Sequence, residues 1–83
     1  MRILFAEAAR KEWQKLEPSI QKQLQQKLNL YMQSGQPLKF AERLKSPALG
    51  DFRFRVGDYR IIFDVKEDTI TILKVGHRKD IYK

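Results

Sequence analysis

Arginine recurs at alternate positions in the stretch FRFRVGDYRIIF, which spans residues 52–63. Alternate side chains of a β-strand point to opposite faces, so Arg53 and Arg55 share one face and the aromatic residues share the other. After Gly57-Asp58 the alternation resumes, and it places Arg60 on the arginine side if the apolar residues stay in register. Guanidinium groups so close together repel one another unless water or a polyanion screens them. The pattern therefore predicts a phosphate-binding site on an exposed sheet face.

The alternative is that acidic side chains neutralise these arginines in ordinary surface ion pairs. The candidate partners are Asp51, Asp58, Asp64 and Asp80. Exposed ion pairs contribute only about 0–1 kcal/mol each, so they give little reason for so dense a group of arginines. We therefore favour phosphate binding over the ion-pair interpretation.

The composition supports a polyanionic partner and excludes several classes of site. The chain has 83 residues and a formal net charge of +7, which indicates a single domain (1–83) that binds nucleic acid, an acidic protein, or both. It has no cysteine and one histidine, which excludes disulfide scaffolds, thiolate sites and histidine-rich metal sites. We predict no metal and no small-molecule cofactor. No run is long enough to span a bilayer and the charged N-terminus does not resemble a signal peptide, so we expect no membrane partner and a cytoplasmic location.

The elements that would position the arginines follow from periodicity. Residues 2–6 read as a strand, and 7–16 and 18–33 as two helices whose apolar stripes pack as an antiparallel pair. Residues 36–51 are irregular, either a loop or a single helical turn. Three strands follow from Phe52 onward, with turns at 57–58 and 66–68 and the last strand at 69–75. The fold class is α+β, in the order strand-helix-helix-three-strand: an antiparallel sheet carries the helix pair on one face and leaves the arginine face open.

The segment after the last strand, GHRKDIY at residues 76–82, adds further polar groups. Gly76 permits a sharp bend, so His77, Arg78 and Tyr82 can fold back to the sheet edge. Histidine is the one side-chain type here that ordinarily titrates near neutrality. At the end of a strand, a structural hydrogen-bonding role for His77 and a catalytic one are about equally supported.

The run FRFRVGDYRIIF, followed by GHRKDIY, resembles the RelE/ParE superfamily of bacterial and archaeal toxins. The resemblance is most specific over residues 49–82. Two features there are closer to the RelE branch: the Tyr-Arg pair on the second of the three C-terminal strands, and the Gly-His-Arg…Tyr ending. The resemblance implies a toxin of a type II toxin–antitoxin system, with an acidic RelB-like antitoxin as partner. RelE-type members enter the ribosomal A site and cleave mRNA there without a metal, the 2′-hydroxyl attacking the adjacent phosphate.

The resemblance also assigns residue roles. It matches Arg53, Arg55, Arg60, Arg78 and Tyr82 to catalytic positions. From the residues themselves, we add His77 as a candidate acid or base and Lys45, Lys74 and Lys79 as candidate RNA-binding cations. Arginines suit the stabilisation of phosphorane charge, and an aromatic ring suits base stacking. The family commonly carries lysines where Arg53 and Arg55 stand. Because arginine effectively cannot give up its proton, the proton acceptor would then be Tyr82 or His77.

Two other functions stay open at this point. ParE-like members share the fold and poison DNA gyrase instead of cutting RNA. An inactive relative would only bind its antitoxin. The dense arginines and the tyrosine ending favour RNA cleavage.

Overall fold

The computed structural model describes residues 1–45 and 48–82, and within them the chain forms two helices and a five-stranded sheet. The elements are β1 (Arg2–Phe5), α1 (Glu7–Gln14), α2 (Pro18–Gln33), a short 3₁₀ helix (Pro37–Phe40), β2 (Ala41–Arg43), β3 (Phe52–Val56), β4 (Tyr59–Lys66) and β5 (Thr69–His77). The predicted α+β class is confirmed, and the predicted strands and helices occur within a few residues of their expected bounds.

The sheet has the strand order β1-β5-β4-β3-β2. Strands β3, β4 and β5 form the predicted antiparallel meander, with two-residue turns at Gly57-Asp58 and Glu67-Asp68. Strand β1 pairs in parallel with β5, so the sheet is mixed, where the sequence predicted antiparallel pairing throughout. The direction of β1 depends on the path by which the two helices connect it to the meander, and a local pattern does not contain that information.

Strand β2 lies in the irregular segment for which the sequence predicts a loop or a single helical turn. It has only three residues, and it pairs antiparallel with β3, with Glu42 opposite Arg53. Glutamate has a low strand propensity, so the local signal is weak. The guanidinium of Arg43 lies 4.8 Å from the centre of the Phe52 ring across the pair. Pairing with β3 therefore makes this segment a strand and brings a carboxylate beside the arginines.

The main core lies between the helices and one face of the sheet. On α2, the buried side chains are Leu24, Leu28 and Tyr31, on the apolar stripe predicted for this helix. The Tyr31 ring packs 4.8 Å from that of Phe54 on β3. Burial of its phenol raises the pKa of Tyr31 above the ordinary value. The ring of Trp13 joins α1 to the sheet in an edge contact 5.4 Å from Phe5.

A bulge in β5 determines which side chains reach the opposite face. Ile62 pairs with Lys74 but Phe63 pairs with Ile72, so Leu73 is an extra residue on β5. The alternation shifts there by one residue, which allows both Ile72 and Val75 to lie in the helix-side core. Lys74 and the residues paired with it consequently belong to the arginine face.

That opposite face is partly covered. Ile62 is fully buried there, because the backbone at Gly50 lies against it. A Cβ added at Gly50 would come within 2.7 Å of Ile62 Cγ2, so only glycine permits this approach. The open surface on this side of the sheet is thus narrower than the sequence predicted.

Neither helix in the described ranges combines the length and the apolar character that crossing a membrane would require.

Candidate phosphate-binding site

The β3–β4 hairpin places the arginines as the alternation predicts. Arg55 pairs with Arg60 and Arg53 pairs with Ile62, so all four side chains share one sheet face. The turn requires a left-handed backbone at Gly57, where φ is 59°, and glycine adopts this conformation without steric cost. The register that the sequence analysis assumed is therefore the observed one.

Arg53 is held from two sides. Its Nη1 donates a hydrogen bond of 2.6 Å to the Tyr82 hydroxyl, and its Nη2 lies 3.4 Å from Glu42 Oε2. The hydrogen bond with Tyr82 is the main reason that the pKa of Arg53 is raised above its ordinary value, so the guanidinium stays charged. Its Nε is buried and has no hydrogen-bond partner among the described residues. A phosphate would consequently meet the Nη atoms and not the Nε.

Glu42 also reaches the second arginine of the pair. Its Oε1 lies 3.6 Å from Arg55 Nε, so one carboxylate bridges both guanidiniums, with one oxygen facing each. The side chains of Arg55 and Glu42 are 56% and 46% exposed. Long, exposed ion pairs of this kind contribute about 0–1 kcal/mol, so an incoming phosphate can replace the carboxylate. We call Glu42, Arg53, Arg55 and Tyr82 the arginine cluster.

The C-terminal segment folds back as predicted and places Tyr82 in this cluster, but the bend follows His77 and not Gly76, because β5 continues through His77 and Gly76 still pairs with Arg60. The His77 carbonyl accepts hydrogen bonds from the backbone N–H groups of Asp80 and Ile81, at 2.9 and 3.0 Å. His77 Nδ1 accepts the Lys79 N–H at 3.1 Å, so in this geometry the neutral ring has its proton on Nε2. We call residues 77–82 the C-terminal turn. In it, His77 has a structural hydrogen-bonding role.

Arg60 differs from the expectation of an exposed arginine. It is only 6% exposed, and its Nη1 donates to the carbonyls of Gly57 and Tyr59 at 3.0 and 2.9 Å. Its neighbour on β5 is Gly76, against whose Cα Ile81 packs, so the C-terminal turn lies over this part of the sheet. The alternation correctly predicts the sheet face on which Arg60 lies. It does not predict the burial of Arg60, because the residues that cover this face come from the C-terminal segment.

Within residues 1–45 and 48–82, the other predicted cations form no hydrogen bond or ion pair with the cluster residues. Arg78 Nε lies 3.6 Å from Asp58 Oδ1 at the hairpin turn. Lys74 Nζ lies 3.7 Å from Glu12 Oε2 on α1. Lys45 and Lys79 are exposed. The structure therefore brings together Arg53, Arg55 and Tyr82, and it pairs Arg78, in the segment after β5, with the β3–β4 hairpin.

The acidic partners differ from those considered in the sequence analysis. Asp58 does form an ion pair, with Arg78, but Asp64 instead accepts the backbone N–H of Asp51 at 2.8 Å. The carboxylate at the arginine pair is Glu42, which the sequence analysis did not single out. The available signal was weak: Glu42 lies ten or more residues before the arginines, in a segment without clear periodicity.

The chain is similar to a family of toxins over almost its whole length. A family model described as the ParE toxin of type II toxin–antitoxin systems, parDE, matches residues 3–82. Toxin RelG of Mycobacterium tuberculosis is 36% identical over 52 residues, which span 60% of this chain and 60% of RelG.

Solved structures of related toxins have the same fold. The RelBE2 toxin–antitoxin complex of M. tuberculosis matches with a TM-score of 0.75 and 29% identity, over 93% of this chain and 96% of that chain. The RelB–RelE complex of Methanococcus jannaschii matches with a TM-score of 0.70 and 30% identity, over 95% and 94%. The isolated RelE toxin of E. coli matches with a TM-score of 0.68 and 26% identity, over 98% and 89%.

Proposed function

The chain belongs to the ParE toxin family of type II toxin–antitoxin systems, and from this premise we propose that it is a RelE-like endoribonuclease that cleaves mRNA in the ribosomal A site. The observation that carries this proposal is the hydrogen bond of 2.6 Å between Arg53 and Tyr82, on the same sheet face as Arg55. It joins a phosphate-binding group to an aromatic ring. RNA-binding proteins commonly use this combination to hold one nucleotide by its phosphate and its base.

In the proposed reaction, the 2′-hydroxyl attacks the adjacent phosphorus and the bond to the 5′-oxygen of the next nucleotide breaks. The attack requires a proton acceptor, the phosphorane requires charge stabilisation, and the leaving oxygen requires a proton. The Nη groups of Arg53 and Arg55 can supply the charge stabilisation once the phosphate displaces the Glu42 carboxylate from between them. Removal of one such donor commonly lowers the rate by about 10²–10³-fold.

Tyr82 would hold the base. Tyr82 is 44% exposed, so part of its ring surface is accessible to a base. The guanidinium carbon of Arg53 lies 6.0 Å from the ring centre and helps to fix the position of the ring. Arg78 is a second phosphate ligand in this proposal, because its exposed side chain can turn away from Asp58. Arg60 could join it only by leaving the two carbonyls to which it donates.

Glu42 is our candidate for the proton acceptor. An ionised carboxylate has only acceptor sites, whereas the Tyr82 hydroxyl already accepts a hydrogen bond from Arg53 and His77 Nδ1 already accepts one from the Lys79 backbone N–H. Glu42 contacts both arginines that would bind the phosphate. A carboxylate displaced from the arginines by the phosphate would remain next to the attacked nucleotide.

We also propose an antitoxin as partner. The related structures from M. tuberculosis and M. jannaschii are of RelBE2 and RelB–RelE complexes. A chain with a net charge of +7 fits an acidic antitoxin whose extended or helical segment covers the basic sheet face. The proposed site of action is the cytoplasm, on translating ribosomes and their mRNA, with no metal and no cofactor.

The test is primer extension on mRNA from cells in which the chain is induced. We expect cuts confined to translated regions, and we expect them to disappear with Arg53→Ala and with Tyr82→Ala. Arg10→Ala, at an exposed arginine of α1, is the matched control and should cut like the unaltered chain. Intact mRNA during growth arrest, or full toxicity of both cluster variants, would refute the assignment.

The second candidate is a ParE-like gyrase inhibitor, which is favoured by the match to the parDE family model. Pulse labelling after induction separates the two, because a gyrase inhibitor stops DNA synthesis before protein synthesis. An inactive relative that only binds an antitoxin would stop neither.

A further inference from the structure

We propose that the C-terminal turn (residues 77–82) is a clamp with two anchors, and that Asp58 and Ile81 are positioning residues that hold Tyr82 on Arg53. The inference rests on the proposed function, since it explains how the nucleotide-holding ring is fixed. Neither Asp58 nor Ile81 belongs to the arginine cluster.

The first anchor joins the start of the turn to the β3–β4 hairpin. The Asp58 carbonyl accepts the Arg78 N–H at 2.7 Å, and its carboxylate lies 3.6 Å from Arg78 Nε. The hairpin that carries Asp58 is itself stiffened, because Arg60 donates hydrogen bonds to the carbonyls of the residues before and after Asp58, Gly57 and Tyr59. A rigid turn thus fixes the residue after His77.

The second anchor joins the end of the turn to the sheet. Ile81 is 2% exposed, and its Cδ1 lies 3.6 Å from the position that a Cβ on Gly76 would occupy. The isoleucine therefore packs in van der Waals contact with β5 at Gly76. Tyr82 follows Ile81 directly, so burial of Ile81 fixes the backbone from which the phenol extends.

These anchors are needed because Tyr82 is 44% exposed and contacts Arg53 through its hydroxyl. Holding an exposed side chain in one position costs conformational entropy, and a single exposed hydrogen bond is a weak restraint. We therefore assign the restraint to the buried side chain of Ile81 and to the backbone carbonyl of Asp58.

The test uses the full chain and two readouts. Ile81→Val and Ile81→Ala weaken the second anchor without touching the cluster. Ile70→Val is the matched control for isoleucine truncation, because Ile70 is fully buried but pairs with β1 and the far end of β4.

The first readout is NMR, by nuclear Overhauser contacts between the Tyr82 ring and the Arg53 side chain. We expect these contacts to weaken in both Ile81 variants, more in Ile81→Ala than in Ile81→Val, and to persist in the Ile70→Val control. Unchanged contacts in Ile81→Ala would overturn the proposal. This readout needs no RNA, so it decides about the clamp even if the chain cleaves no RNA and the proposed function fails.

The second readout is single-turnover cleavage on programmed ribosomes. We expect Ile81→Ala to lower the rate by about tenfold or more, as for a displaced catalytic contact, and Ile81→Val to lower it less. In a Tyr82→Ala background the same substitutions should have almost no further effect, because the group that they position is gone. An equal loss in both backgrounds would show that Ile81 acts only through stability, and the proposal would be wrong.

Discussion

Substitution of Glu42 by glutamine should change RNA binding and RNA cleavage in opposite directions. The substitution keeps the shape of the side chain and removes the carboxylate that lies 3.4 Å from Arg53 and 3.6 Å from Arg55. In the unaltered chain, that carboxylate competes with phosphate for both arginines and, in our proposal, accepts the proton of the 2′-hydroxyl. Its removal separates these two roles.

The effect on binding follows from the geometry of the two ion pairs. Both contacts are long and their side chains are substantially exposed, so each pair contributes a few tenths of a kcal/mol to 1 kcal/mol. Release of both arginines makes about 1 kcal/mol available to a phosphate, which corresponds to about fivefold tighter binding. The gain should shrink as salt is added, because the charges are exposed.

The effect on cleavage is larger and has the opposite sign. A positioned general base contributes about 10²–10⁴-fold, so we expect Glu42→Gln to lower the single-turnover rate by at least about 10²-fold. Binding is measured by fluorescence anisotropy with an oligonucleotide whose scissile 2′-hydroxyl is replaced by hydrogen. Cleavage is measured on ribosomes programmed with the same sequence as RNA.

The control is Glu67→Gln, which makes the same change of charge at the turn between β4 and β5. It should leave both measurements close to those of the unaltered chain. Weaker binding by Glu42→Gln would refute the competition between carboxylate and phosphate. An unchanged cleavage rate would remove Glu42 as the proton acceptor.

The remaining predictions concern stability and pH. Glu67 has a φ of 56°, in the left-handed region that glutamate rarely adopts, so Glu67→Asn should raise the free energy of unfolding by about 0.5–1 kcal/mol in urea titrations. Arg60→Ala leaves the carbonyls of Gly57 and Tyr59 without their donor, and it should lower the same quantity by about 1–3 kcal/mol; an unchanged midpoint would refute the bracing role of Arg60. Burial raises the pKa of Tyr31 in the folded state, so its contribution to stability is complete below the unfolded value of 10.0 and is lost as pH rises through the folded pKa. Tyr31→Phe should therefore reduce the loss of stability above about pH 10, as thermal melts at increasing pH would measure.

The hydrophobic periodicity of the sequence correctly predicts features that depend only on neighbouring residues, such as the direction of a side chain. The alternation in residues 52–63 correctly placed Arg53, Arg55 and Arg60 on one face, and the helical stripe correctly placed Leu24 and Leu28 in the core. Side-chain direction in a strand or helix follows from backbone geometry alone, so the sequence is sufficient for it. Exposure is different, because it depends on which other segments lie above a residue. Arg60 is on the predicted face and is nevertheless buried.

The sequence by itself determined both helices, every strand except β2, the α+β class and the direction in which each arginine points, because these depend on period and on turn chemistry over a few residues. The tertiary structure decided the rest: the parallel pairing of β1, the three-residue strand that brings Glu42 to the arginines, and the burial of Ile81, which precedes Tyr82. Each of these depends on contacts between residues distant in the chain. Such contacts form only where the folded surfaces fit together, and no local pattern specifies that fit.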